Sequence, residues 1–208
     1  MSDLKTRWFA TTSHFLTDGT AEIVWNLLDD CYSESIRGYH NWNHIADCFI
    51  QFDEAAHLAN NRTQLELALF YHDVIYDPKG SGNEEASAEF AAETLSRAGF
   101  PDSEIAIVHQ LILDTKHQVE PKSFDGRLLV DVDLSILGAD PARFDQYETD
   151  IRQEYRWVEL QAYRAGRAQI MQGFLIRPQI YFTDYFREKF EAQARDNLAS
   201  LIAKLSAD

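Results

Sequence analysis

Apolar residues return every three or four positions along nearly the whole chain, the period of an amphipathic helix. Leu4, Trp8 and Phe15 mark a first stripe, and Ile23, Val24, Leu27 and Leu28 a second that ends near Ser33. A third helix is expected from about His40 to Ala59, with Ile45, Phe49, Phe52 and Ala56 on one face. Thr63 is placed to cap a fourth helix, with Glu66 completing a capping box. That helix carries Leu65 and Leu69 and then the pair His72-Asp73. "DPKGSG" breaks the pattern, and Asn83 is placed to cap a fifth helix whose first turn holds Glu84 and Glu85, at the positive end of the helix dipole.

Gly99 ends the fifth helix and Pro101 follows. "DSEIAIVHQLILDT" and "RLLVDVDLSILG" give a sixth and a seventh. Asp140-Pro141 starts the next, an N-cap with proline at the first helical position, and helical period then runs to about Phe174 with a break near Gly166. Pro178 interrupts it. Thr183 caps the last helix, where Phe186, Phe190, Leu198, Leu201 and Leu205 share a face. The best strand candidate, "LLVDV", is short and has no turn-linked partner. The expectation is an all-α chain of roughly eight to ten helices, a single domain over residues 1–208.

Composition narrows the function classes. The 208 residues are 45% hydrophobic with only nine glycines and five prolines, enough to fill a core. Nineteen basic residues against 34 acidic ones give a net charge of −15, which repels a phosphate backbone and argues against nucleic-acid polymers as partners. A small phosphate ester is still compatible, because a bound metal reverses the local field. Cys31 and Cys48 form no CxxC pair and read as small buried hydrophobes. The N-terminus lacks the apolar run of a signal peptide, and no stretch approaches 18 apolar residues, so no membrane partner and a cytoplasmic location are expected.

Three places put metal-binding side chains inside apolar runs. His40 and His44 in "RGYHNWNHI" are four apart, on one face of a helix. His72 and Asp73 sit in the middle of "LALFYHDVIYD", where a buried ionised carboxylate is costly unless paired or bound to metal. Asp131 and Asp133 enter "LLVDVDLSILG". Each alone is more often an ordinary satisfied side chain. Three such intrusions together favour a site of imidazole nitrogens and carboxylate oxygens, a donor set that suits Mn, Fe, Ni, Co or Zn, with Mg preferring more oxygen.

In that order the residues resemble the HD superfamily of metal-dependent phosphohydrolases, whose motif is a His, then a His-Asp pair, then a distant Asp. Here it reads His44, His72-Asp73 and Asp133. "FYHDVIYD", "NEEASA", "LILDTKH", "DVDLSILG", "RQEYRWV" and the later "RPQIY" are similar to an uncharacterised bacterial branch of predicted phosphohydrolases, so the resemblance spans most of the chain. It implies an all-helical HD-type domain holding one divalent ion (Mn, Ni, Co, Fe, Zn or Mg) through His44, His72, Asp73 and Asp133. His40 competes with His44 for the first position, and Asp131 with Asp133 for the last; Asp131 is otherwise expected to support the ligands. It also implies hydrolysis of a small phosphorylated substrate, a nucleotide or related metabolite, by metal-activated water, with Asp73 or Glu84 taking the proton. Arg37, His40, Lys116 and His117 are candidate substrate contacts, and Lys79 a further cation for phosphate. Two other readings remain: a di-iron oxygenase on the same fold, which needs His109 and His117 as extra ligands, and a non-catalytic sensor of metal or ligand. A homodimer is left open by the aromatic segment "QIYFTDYFREKF".

Overall fold

The computed structural model describes residues 2–207, and among them the chain is all-α, with ten α-helices and no strand. It forms two compact units, residues 1–129 and 130–208. The first holds α1 (Ser2–Thr12), α2 (Asp18–Tyr32), α3 (Trp42–Ala55), α4 (Arg62–Tyr71), α5 (Asn83–Arg97) and α6 (Asp102–Asp114). The boundary falls within α7 (Phe124–Asp133). A 3₁₀ turn over Leu134–Gly138, α8 (Pro141–Glu154), α9 (Leu160–Leu175) and α10 (Asp184–Ser206) belong to the second unit.

Helix α4 is the centre of the first unit. It packs against α1, α3, α5 and α6, and every residue from Gln64 to Tyr71 is buried. A helix buried on every side needs neighbours all round, and its two buried polar residues, Gln64 and Glu66, are each hydrogen-bonded. Trp8 of α1 meets Phe70 edge to face at 5.3 Å and donates its indole N–H to the Ala21 carbonyl at 2.9 Å, so its one polar atom is satisfied inside the core. Trp25 and Trp42 stack at 4.7 Å and tie α2 to the start of α3. The buried stripe of α2 is Ala21, Val24, Trp25, Leu28 and Tyr32, while Ile23 and Leu27 face outward. Half of the expected second stripe is therefore one residue out of phase.

Local start signals were partly overruled by tertiary contacts. Asp140 caps α8 by accepting from the Ala142 and Arg143 amides, and Thr183 caps α10, as expected. Gly99, at φ +90°, closes α5, with the Phe100 N–H on the Leu95 carbonyl. The Thr63–Glu66 capping box does not form. Helix α4 starts at Arg62 with Asn61 at the cap position, and Asp125 reaches in to accept from the Asn60 and Asn61 amides at 2.9 and 2.8 Å. Glu66 instead binds Arg7, Thr11 and Arg62. Asn83 does not cap α5. Gly82 takes that position, and the Asn83 side chain braces the preceding loop by bonding the Asp77 N–H and carbonyl. The expected third helix is shorter, beginning at Trp42 with Asn41 as its cap. The helical run after Asp140 breaks at residues 155–159, before Leu160, and continues through Gly166.

In the second unit α10 packs on α9 and on the 3₁₀ turn. Gly138 makes this possible: a β-carbon there would stand 2.5 Å from the Phe190 Cβ and 2.8 Å from its carbonyl oxygen.

Candidate metal centre

Helix α4 stops at Tyr71, so His72 occupies its C-cap position and Asp73 lies just beyond, where the chain leaves the helix. His44 comes from the first turn of α3, and α3 packs on α4. The result is one cluster in the first unit. His44 Nε2 and His72 Nε2 are 3.0 Å apart, and Asp73 Oδ2 is 3.2 Å from the first and 3.1 Å from the second. Both histidines are 2% exposed, so the cluster sits inside the protein with Asp73 half-buried at its edge.

The protonation logic of the trio favours a cation. His72 Nδ1 lies 3.1 Å from the Leu69 carbonyl, which can only accept, so Nδ1 carries a hydrogen and the ring is held in orientation. Burial opposes ionisation of Asp73, but the imidazoles of His72, His40 and His44 outweigh it and hold the carboxyl well below its usual range. Two imidazole nitrogens and an anionic oxygen thus face one another at hydrogen-bonding distance. Two bonds of about 2.1 Å at right angles place their donor atoms about 3.0 Å apart, whereas a tetrahedral angle places them about 3.4 Å apart. The observed 3.0–3.2 Å spacing falls within this range. Residues of this kind, at this separation, can hold a divalent metal.

Cys48, one turn after His44, is buried, in keeping with its sequence reading as a small hydrophobe. Its Sγ lies 3.7 Å from both ring nitrogens of His44, and His44, Cys48 and His72 each offer a donor atom within 4.8 Å of the others. The i, i+4 spacing from His44 was the available signal. His40 lies outside the trio, with its ring centroid 6.0 Å from that of His44, stacked at 4.3 Å on Tyr76. His44 is thus the histidine of this pair that joins His72 and Asp73.

Arg37 is 6% exposed and points inward. Its guanidinium donates to the carbonyls of His40, Asp73 and Val74 at 2.9, 2.6 and 2.8 Å, and Nε donates to Glu34 at 3.0 Å. It is a brace between the loop before α3 and the turn that carries Asp73. Lys116 pairs with Glu85, and Glu84 sits half-buried in the first turn of α5. His117 takes a left-handed conformation, φ +56°, after α6. His109 faces Glu89 of α5 at 3.4 Å.

Asp133 is the last residue of α7 and lies in the second unit. Asp131, its rival from sequence, accepts from the Phe182 and Thr183 amides at 2.7 Å each and from the Thr183 hydroxyl at 2.6 Å. Burial nevertheless pushes its carboxyl up to about 6. Both of its oxygens are engaged in anchoring the start of α10, a role nothing in its sequence context indicated. No protein-family model matches the chain, and no curated protein or solved structure shows significant similarity to it.

Proposed function

We propose that the chain is a metal-dependent phosphohydrolase acting on a small phosphate ester. The observation that carries this reading is the convergence of His44 Nε2, His72 Nε2 and Asp73 Oδ2 within 3.0–3.2 Å. A divalent ion held there would supply Lewis acidity and lower the pKa of a bound water. His44 and His72 bind it as neutral imidazoles, the second oriented by the Leu69 carbonyl. Asp73 binds it as an anion. Asp133 is the fourth ligand in this reading, on the strength of the His, His-Asp, Asp order of the sequence. Glu84 is the base that takes the proton of the attacking water, since the low pKa of Asp73 makes it a poor proton acceptor at neutral pH. His40, held flat on Tyr76, contacts the phosphoryl group, with Lys116 and His117 as further substrate contacts.

The test is elemental analysis of the purified full chain, followed by phosphate release from a nucleotide panel with Mn, Co, Ni or Mg. One ion per chain is expected, lost in His72→Ala and Asp133→Ala. Asp73→Ala should abolish turnover, and full activity in that variant refutes the centre. Two irons per chain would favour the oxygenase reading instead.

A further inference from the structure

The second unit carries a concavity between the end of α8 and one flank of α9. It encloses about 180 Å³ and is lined by Ile151, Tyr155, Val158, Ala162, Tyr163, Gly166, Arg167 and Ile170. Tyr163 Oη is buried there with no hydrogen-bond partner. Around it large apolar side chains stand in solvent: Trp157 is 51% exposed and Ile170 54%. A cavity of about 150 Å³ lined by apolar groups can hold a benzene ring, so this one has room for a single aromatic or branched aliphatic side chain.

The exposed face of α9 says what covers it. Its outward positions are Leu160, Gln161, Ala162, Ala165, Gly166, Gln169, Ile170, Gln172 and Gly173, none charged. Of the two arginines of α9, Arg167 lines the concavity but its charge is met by Glu148, with Tyr147 as a further partner, and Arg164 is held on the Lys204 carbonyl. By contrast α5 exposes Glu85, Glu89 and Glu93. In a chain of net charge −15, two copies meeting through an isologous contact would set like charges against like on most surfaces. This face avoids that cost. A β-carbon at Gly166 or Gly173 would meet nothing within 4 Å, so a second helix can come close to the backbone there.

We infer that α9 and the adjoining concavity form a homodimer interface, in which a second copy of this chain packs its own α9 against the uncharged face and fills the concavity with an apolar side chain. Trp157, outside the lining and 51% exposed, is the side chain best placed to be the knob. Tyr163 Oη would gain its partner from the second copy.

Sedimentation velocity on the full chain between about 1 and 100 μM tests this. The wild type should shift toward twice the 23.9 kDa chain mass as concentration rises. Gly166→Glu and Gln169→Glu, each placing a charge on the face where the fold has open space or an exposed side chain, should remain at the monomer mass. Their far-UV circular dichroism and metal content should match the wild type. A wild type that is monomeric throughout overturns the inference, as does a dimer that neither variant weakens.

Discussion

Arg37→Ala removes three donations to carbonyls around the proposed site. Hydrogen bonds from a charged donor contribute about 1.5–3 kcal/mol each. The partner carbonyls, those of His40, Asp73 and Val74, belong to two segments that the guanidinium holds together. The exposed Glu34 pair adds little, because its carboxylate is 48% exposed and screened by solvent. Asp73 is half-buried, so water can refill part of the vacated space, and a loss of about 3–5 kcal/mol is expected rather than the full sum. At roughly 2–4 °C per kcal/mol for a chain of this size, Tm should fall by about 10 °C. Arg37→Lys keeps the charge but not the planar fork, and should recover less than half of that. Because Asp73 would lose its anchor, metal affinity should fall about 10- to 100-fold in both variants. Thermal melts and cobalt titration measure the two effects. If Arg37→Lys leaves Tm and metal affinity unchanged and raises only KM, the brace is wrong and the guanidinium holds substrate.

Two buried carboxylates should give opposite pH signatures. Glu66, held low against the opposing effect of burial by Thr11, Arg7 and Arg62, stabilises the fold above its unfolded pKa of about 4.3, and that contribution disappears as pH falls through the folded value. The stability difference between wild type and Glu66→Gln in urea melts should therefore shrink below about pH 4. Asp131, raised to about 6 by burial, contributes most below its unfolded pKa of about 3.9, and the contribution is lost as pH rises through about 6. Asp131→Asn should flatten the stability profile between those values, while Asp131→Ala should cost about 2–4 kcal/mol by stranding the Phe182 and Thr183 amides. Gly138→Ala should cost about 1–3 kcal/mol through collision with Phe190, whereas Gly19→Ala, with nothing within 4 Å, should be neutral or stabilising in the same melts.

The helical class was legible because its signal is periodic and repeated, and so were those ends where the cap is adjacent in sequence, as at Asp140 and Thr183. The start of α4 was not, because the carboxylate that ties down the residues leading into it, Asp125, lies 64 residues downstream of Asn61. The site was legible as residue types in order: His44, His72 and Asp73 do meet. The sequence could not show what each polar neighbour does. Arg37 reads as a candidate substrate contact until its carbonyl partners are known, and Asp131 reads as a ligand's companion until its two oxygens are found on Phe182 and Thr183. Cys48 is buried as expected, and its place beside the His44 ring is what one line of text does not show.

Helix α4 is buried along almost its whole length, and it delivers His72 and Asp73 at its end. Donors mounted on so confined a support have little freedom to spread. Calcium needs bonds of about 2.3–2.6 Å, which at right angles separates neighbouring donors by about 3.3–3.7 Å. In the proposed metal-binding reading, donors held near 3.0–3.2 Å would suit ions smaller than calcium, and excess calcium would not displace them.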